Sequence, residues 1–372
     1  MDGVNALHSE INWPELTPAK WQWLASNPAR PPDMPLGWVL DHDGRIDGFI
    51  GNFVSRYFRE RQRYIAASGH SVIVSPRARG AIRDLLEPFT RQSGVFAASM
   101  LNANQIGGPI YAKLGMQPYP AETSAIKLSW ILSPSLTFSA RILRKVIEVW
   151  PQTLALIGEP FSPRGAAMFD PRSVIWPKGI HPIEDLSDSG SYAEFWKSLQ
   201  AEGRLVADRS PAVIRWRMAQ PDLTYPPLLL GYHDAEGLCA YAMAIMSKTG
   251  PVDVPTLEII DLVKLDRAPP LTIPTLIRAL KTAGYKSGAC KVRLPLLGPS
   301  LLKALDHKVP KARNEGGWGH AYVHFTGQAE DFADWEPTAL EGSYGFTLRQ
   351  PKVKQPRARS RSRNSALAVT EA

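Results

Sequence analysis

Cysteine is almost absent from the sequence. Cys239 and Cys290 are the only two, and neither a Cys-x-x-Cys motif nor a cluster of Cys and His occurs. This scarcity argues against a disulfide scaffold and a zinc site, so we expect no metal and a reducing, cytoplasmic location. No stretch reaches the roughly 18 apolar residues that a membrane-spanning helix needs, and the first residues lack the apolar core of a secretory signal.

Acidic residues are scarce near the end of the chain, and most of the net charge of +8 comes from that segment. From Arg349 to Ala372 there are seven basic residues and one acid, Glu371, so the remainder of the chain carries a charge close to +2. The segment is rich in Pro, Ser and Arg and has no apolar periodicity, which predicts a disordered basic tail over 346–372. We expect this tail to make only weak contacts with nucleic acid. Nothing in the sequence specifies an oligomeric state.

Two tryptophan-bearing segments repeat each other, Lys20–Phe49 and Val213–Tyr241. In each, a helix ends at a polar-Pro pair, and a Pro-rich loop, a strand, a Gly-bearing turn and a second strand follow. The pairs of matching residues that lie 193 positions apart are Trp23 and Trp216, Asn27 and Gln220, Pro28 and Pro221, and Gly44 and Gly237. The repeat indicates a duplication and predicts two α/β domains within the 372 residues.

A strand, a basic turn and a helix follow one another in "SVIVSPRARGAIRDLLEPF", residues 71–89. The β-branched run Ser71–Val74 predicts a strand, and the apolar residues from Ile82 to Phe89 have the spacing of one helix face. Gly80 permits an unusual φ or a close approach of the backbone. The helix start, with its free N–H groups and nearby Arg77, Arg79 and Arg83, favours binding of a diphosphate. An ordinary strand-to-helix connection with surface arginines is the alternative.

The next stretch, "FAASMLNANQIGGPIYAKLGM", predicts a small-residue strand near Phe96–Met100 followed by Asn102 and Asn104. A helix carrying Tyr111 comes after it, and Gly115 is typical of the residue that ends such a helix.

In this order, three segments resemble the GNAT superfamily of acyl-CoA N-acyltransferases: the hairpin "GWVLDHDGRIDGF", the turn "VSPRARGAIRDLL" and "YAKLGM". The resemblance covers Trp21–Tyr119 well and the second copy only in part. In the turn, Arg77 and Gly80 match the pyrophosphate-binding positions of the family. Ile82 departs from it, because the family has Gly or Ala there, and a branched side chain could crowd a diphosphate.

The resemblance implies an α/β fold of two tandem GNAT-like domains, each a mixed twisted sheet flanked by helices. We divide the chain into an acyl-CoA-binding domain (1–125), a connecting helix and linker (126–190), a second domain (191–345) and the basic tail. The second domain is expected to be a degenerate copy, because Pro269 and Pro270 stand where the glycine turn would be and proline has no N–H for a phosphate.

The resemblance also implies a reaction in which the amine of a small metabolite or amino sugar attacks the thioester of acetyl-CoA or another acyl-CoA. Tyr111 matches the family's tyrosine that protonates the departing thiolate, and His70 is a candidate general base. The residues expected to bind the cofactor are Val72, Val74, Arg77, Arg79, Gly80, Ala81, Ile82, Arg83, Asn102 and Asn104.

Two other functions fit the same sequence. The first is a transferase of the same fold that uses aminoacyl-tRNA, which the basic tail and the imperfect turn would suit. The second is a non-catalytic binding or scaffold protein, for which Ile82 is the best support. Binding of CoA separates acyl-CoA transfer from both.

Overall fold

The computed structural model describes residues 1–11, 13–153, 157–163, 169–305, 312–317 and 320–352. Its α-helices in these ranges are α1 Asp2–Glu10, α2 Pro18–Ala25, α3 Ile82–Thr90, α4 Gly107–Lys113, α5 Pro134–Val149, α6 Ser191–Ala201, α7 Pro211–Met218, α8 Thr272–Lys286, α9 Pro299–Leu305 and α10 Tyr344–Thr347. Its strands are β1 Gly37–His42, β2 Arg45–Arg59, β3 Gln62–Val74, β4 Ala97–Met100, β5 Gln117–Pro118, β6 Leu128–Ile131, β7 Ile180–Pro182, β8 Val206–Ala207, β9 Leu228–Asp234, β10 Gly237–Ser247, β11 Thr256–Lys264, β12 Lys291–Leu294, β13 Arg313–Asn314 and β14 Tyr322–Phe325.

The strands form two mixed sheets of seven, which confirms the predicted α/β class. The first has the order β1-β2-β3-β4-β14-β5, with β8 paired to β2. The second has the order β13-β6-β12-β11-β10-β9-β7. Within each sheet one pair is parallel, β3 with β4 and β11 with β12, and the other pairs are antiparallel.

The elements recur in the same order along the two halves of the chain. From α2 to β6 the order is helix, three strands, helix, strand, helix and two strands, and α7 to β14 repeats it. The helices α2 and α7 each have eight residues and a proline at the start. Gly44 and Gly237, in the equivalent hairpins, both have positive φ, +81° and +112°. The hairpin turns thus use the conformation that glycine adopts most readily.

The last strand of each half lies in the sheet of the other half. Strand β14 is inserted between β4 and β5 of the first sheet, and β6 is inserted between β12 and β13 of the second. Our division of the chain at 125 and 190 follows chain order, whereas these exchanged strands tie each segment into the opposite sheet. The pairing is long-range, so the local patterns on which the division was based do not contain it.

Equivalent tryptophans of the two copies meet where the halves touch. The rings of Trp23 and Trp216 stack with centroids 4.1 Å apart and planes at 4°. Each indole N–H donates to the backbone carbonyl of the other residue, at 2.8 Å in both directions. A reciprocal contact of this kind is what a local two-fold axis between two copies produces.

Truncation of this pair is expected to destabilise the whole chain. We expect Trp216→Ala to lower the free energy of unfolding by about 3–5 kcal/mol, because it removes a buried ring and the partner of the Trp23 carbonyl. Urea denaturation followed by circular dichroism measures the change. Trp150→Ala is the control, since that ring is 62% exposed and its loss should change stability by less than about 0.5 kcal/mol. Equal effects of the two substitutions would contradict the role of the stacked pair.

The expectation of a disordered tail from residue 346 is wrong for its first part. Phe346 is 2% exposed and packs against Phe53 and the ring of His70, with centroids 5.3 Å and 5.0 Å away. The carbonyl of Arg349 accepts a hydrogen bond from the Lys248 N–H at 2.9 Å. The aromatic side chain anchors this segment in spite of its basic composition. Residues 353–372, the rest of the predicted tail, lie outside the described residues.

The connecting segment contains the predicted helix, α5. Its one fully buried residue is Ala140, while Leu136, Phe138 and Ile142 are 43%, 64% and 49% exposed. Within the described ranges, no helix is both long enough and apolar enough to cross a membrane.

Candidate functional site

The parallel strands β3 and β4 separate after three residue pairs. Ala66, Ala67 and Ser68 pair with Ala97, Ala98 and Ser99, after which β3 continues to Val74 while β4 ends at Met100. At Gly69 the Met100 side chain occupies the space of a missing Cβ, which would lie 2.4 Å from its Cε. The sheet therefore opens at this point instead of continuing as a regular ladder.

A β-bulge in β3 lies just beyond the point of separation. Gly51 pairs with His70 and Phe49 pairs with Ile73, so two residues of β3 stand opposite one residue of β2. Ser71 has φ of +50°, a left-handed conformation that a residue other than glycine adopts only at some energetic cost. Bulges of this kind turn backbone groups away from the ladder, which here places them at the mouth of the opening.

The opening leads into a cleft of about 670 Å³. Six of the residues proposed from the sequence line it: His70, Val72, Ile82, Asn102, Asn104 and Tyr111. The other six, Val74, Arg77, Arg79, Gly80, Ala81 and Arg83, lie at the end of β3 and in the turn before α3, outside the lining of the cleft. Half of the proposed residues thus line one cleft, and the other half lie in and around the turn before α3.

The turn before α3 contains the conformation that its glycine predicts. Gly80 has φ of +107°, and a Cβ added there would meet no described atom within 4 Å. Helix α3 starts at Ile82 and has Ala81 as its N-cap, with no side chain capping its first amides. Arg77, Arg79 and Arg83 are exposed around this helix start and form no ion pair within the described residues. The turn can therefore present free N–H groups and positive charge to an anion.

Ile82, which departs from the family pattern, is half-buried. Its side chain packs against the apolar cluster that includes Leu85, Leu86 and Phe89, and it also lines the cleft. This cluster holds part of the branched Ile82 side chain. Only the remaining part of the side chain can therefore crowd a diphosphate at the turn.

Tyr111 lies on α4 in the wall of the cleft. Its side chain is 8% exposed, and its ring contacts the edge of Tyr322 at a centroid distance of 6.1 Å. Burial raises the pKa of Tyr111 to about 12, so the phenol keeps its proton at neutral pH. A neutral phenol in the cleft can donate that proton to an anion that forms beside it.

His70 is packed among aromatic rings. Its imidazole lies directly over Gly51, where a Cβ would be 2.1 Å from the ring, and Nδ1 is 3.2 Å from the Ser71 hydroxyl. Burial, with a smaller contribution from His8, lowers the pKa of His70 to about 3. The ring is therefore neutral at pH 7 and is a weak proton acceptor.

The two asparagines have different surroundings. The Asn104 Oδ1 accepts hydrogen bonds from the N–H groups of Ile106 and Gly107 at 3.0 Å and 2.7 Å, so this side chain holds the start of α4. Asn102 is exposed and faces the cleft at the end of β4.

The cleft is also lined by residues that the sequence did not predict. Lys127, next to the exchanged strand β6, contributes there together with Arg293 and Glu315 from the second half. Burial and then the charge of Arg293 lower the pKa of Lys127 to about 8. The charges are largely compensated, because Arg293 pairs with Glu258 and Lys291 pairs with Glu315 at 2.9 Å. These side chains are polar and suit a polar ligand.

The equivalent parallel pair of the second sheet, β11 and β12, also separates after three residue pairs, but the space beyond it is filled. Strands β11 and β12 pair from Thr256 to Glu258, and beyond them Ile260 and Leu296 belong to one buried cluster with Leu340 and Tyr344. Residues from the end of the chain thus pack where the first half has its cleft. Among the residues described, no group of three or more His, Cys, Asp or Glu is placed to hold a metal ion.

No family model and no curated protein matches the sequence. Solved structures do match the fold. N-myristoyltransferase from Saccharomyces cerevisiae, solved with bound myristoyl-CoA, is 12% identical over 87% of this chain and 79% of that one, with a TM-score of 0.50. A probable N-acyltransferase from Enterococcus faecalis V583 is 13% identical over 87% and 70%, with a TM-score of 0.48. A GCN5-related N-acetyltransferase from Anabaena variabilis ATCC 29413 is 14% identical over 78% and 62%, with a TM-score of 0.42. At such identities the likeness concerns the fold.

Proposed function

We propose that this chain, which has the fold of the GNAT N-acyltransferases, transfers an acyl group from acyl-CoA to the amine of a small molecule. The observation that carries the proposal is the separation of β3 and β4 at the bulge, which opens the sheet into a 670 Å³ cleft beside an uncapped helix start. An extended pantetheine arm fits between two strands that have parted, because it can bond to the backbone groups that the strands no longer share.

The turn before α3 is our proposed diphosphate site. Gly80 places the uncapped amides of Ile82 and Arg83 at the helix start, and the positive end of the helix dipole lies there as well. The exposed arginines on either side supply charge without being committed to other ion pairs of the described structure.

Tyr111 is our proposed general acid. As the amine attacks the thioester carbonyl, the C–S bond breaks and a thiolate leaves with the electron pair. The buried phenol is protonated at neutral pH and lines the same cleft, so it can protonate that thiolate. Asn102 and the backbone of Val72 are proposed to contact the pantetheine arm.

The acceptor is proposed to be a small polar amine, such as an amino sugar or another metabolite, bound in the same cleft, which His8, Lys127 and Glu315 also line. The acyl group is proposed to be acetyl. A reducing cytoplasm suits Cys239 and Cys290, which are both buried free thiols.

Titration calorimetry with acetyl-CoA tests the function directly. We expect binding in the micromolar range, because the site combines a helix start, arginines and a cleft that can cover the pantetheine arm. A parallel titration with myristoyl-CoA compares acyl lengths, and CoA without an acyl group shows what the acyl group adds. No heat with any of these ligands would overturn the proposal and would favour an aminoacyl-tRNA donor or a non-catalytic role.

A further inference from the structure

An amine acceptor must lose a proton before it can attack a thioester, since an ammonium group has no free electron pair. The residues proposed from the sequence leave this step without a good base. His70 has a pKa of about 3, and Asn102 and Asn104 do not accept protons. A further proton acceptor is therefore needed in the cleft.

His8, on the first helix, has the geometry of such a group. Its side chain is 2% exposed and lines the cleft that contains Tyr111 and His70. The ring lies edge-on to Trp13 with centroids 5.9 Å apart, and its Nδ1 is 2.6 Å from the carbonyl oxygen of Pro14. A carbonyl only accepts hydrogen bonds, so Nδ1 carries the hydrogen and, in the neutral ring, Nε2 carries the lone pair.

The Nε2 atom of His8 is buried and has no hydrogen-bond partner among the described residues. An acceptor atom that is removed from water without a partner is costly to the folded state. Here the atom belongs to a ring held by Pro14 and Trp13 among the residues that line a cleft, and a donor that reaches this ring from the cleft would satisfy it. An ammonium group is such a donor.

We infer that Nε2 of His8 accepts the proton of the acceptor amine in the proposed N-acyltransferase reaction, on which this inference rests. The ammonium gives one proton to Nε2, and the neutral amine forms a C–N bond with the thioester carbonyl carbon. The C–S bond then breaks, the nitrogen loses its second proton to solvent, and Tyr111 protonates the thiolate. The imidazolium releases its proton to solvent and the phenolate of Tyr111 regains one, which restores both residues.

The proton transfer requires that Nε2 of His8 carries its lone pair. Other ionisable groups lie on the elements around this ring. They are Glu10 on α1 itself, Glu15 in the following loop, Lys20 on α2, Arg45 on β2 and His70 on β3. The Lys20 ammonium group donates a hydrogen bond to the carbonyl of Phe346 at 3.2 Å, which holds this side chain in the cleft.

The variant that isolates the role is His8→Asn, because the amide NH₂ can still donate to the Pro14 carbonyl while the Nε2 lone pair is lost. Release of CoA thiol from acetyl-CoA is followed with two probe amines, methylamine, which is almost fully protonated at pH 7, and hydroxylamine, which is mostly neutral. We expect kcat/KM at pH 7 to fall about 100-fold with methylamine and less than about 10-fold with hydroxylamine. Raising the pH should make the decrease in kcat/KM with methylamine smaller, because more of the amine is then neutral. Calorimetry should show that acetyl-CoA binds the variant as it binds the wild type.

His42→Asn serves as the matched control, because that side chain is 66% exposed in the first hairpin and should leave both rates unchanged. Equal losses with the two amines, or no loss in His8→Asn, would overturn the inference while leaving acyl-CoA transfer intact. Nitrogen-15 NMR of the wild-type protein gives a readout that needs no turnover. The Nδ1–H tautomer of His8 is expected, and the Nε2–H tautomer would overturn the assignment. Failure of acetyl-CoA to bind the wild type would instead reject the proposed function.

Discussion

Replacing Gly80 with Asp is expected to weaken acyl-CoA binding by about 100-fold or more, as measured by titration calorimetry. The substitution puts a carboxylate beside the uncapped start of α3, where the diphosphate is proposed to bind. Two like charges a few ångströms apart near a protein surface repel by several kcal/mol, which exceeds the roughly 2.7 kcal/mol that 100-fold represents. The side chain itself has room, since no described atom lies within 4 Å of a Cβ at this position.

The control for this experiment is Gly80→Asn, which has nearly the same shape and no charge. Both side chains must adopt φ of +107°, so both variants carry a similar backbone strain, and thermal unfolding should show similar stabilities. We expect Asn to weaken binding by less than about 10-fold. Equal affinities for the Asp and Asn variants would show that no diphosphate lies beside this turn.

Replacing Tyr111 with Phe is expected to lower kcat by about 100- to 1,000-fold while leaving the affinity for acetyl-CoA within a factor of about three. The ring remains in place against Tyr322, and only the hydroxyl that would protonate the thiolate is lost. A group that acts when the thiolate forms changes turnover and leaves cofactor binding nearly the same. Steady-state release of CoA thiol, with a parallel calorimetric titration, separates the two quantities.

Tyr322→Phe is a suitable comparison, because this tyrosine is 7% exposed and contacts the same ring from β14. We expect this variant to retain most of the activity. If Tyr111→Phe were as active as the wild type, the thiolate would have to leave without help from this residue. If instead it lost cofactor binding, Tyr111 would be a structural part of the cleft.

Local patterns in the sequence predicted much of the first half. The helix with Leu85, Leu86 and Phe89 on its buried face, the positive φ of Gly80 and the helix end at Gly115, which also has positive φ, all appear in the structure. Each depends on residues within a few positions of one another, through apolar spacing or through the special conformations of glycine. Six proposed residues line one cleft because they lie in or after two adjacent strands, β3 and β4.

Long-range contacts supplied what the sequence did not show. The strand predicted at Ser71–Val74 begins at Gln62, because pairing with β2 extends it through small residues of weak strand preference. His8 reaches the cleft because α1 packs on the first sheet, and an isolated histidine in a helix gives no signal of such a contact. Lys127 lines the cleft only because it precedes the exchanged strand β6. Phe346 is buried by aromatic neighbours from distant parts of the chain.

The strand exchange has a consequence for the order in which a ribosome delivers this chain. Strands β4 and β5 have both been synthesised once Pro118 is made, but β14, which pairs with both of them, is complete only at Phe325. At typical translation speeds the facing edges of β4 and β5 therefore stay unpaired for roughly 10 to 40 seconds. Unpaired strand edges attract other chains, so the nascent first half is exposed to aggregation during that interval. Slower synthesis or a scarcity of chaperones should therefore reduce the yield of folded protein, although neither changes the stability of the protein once it has folded.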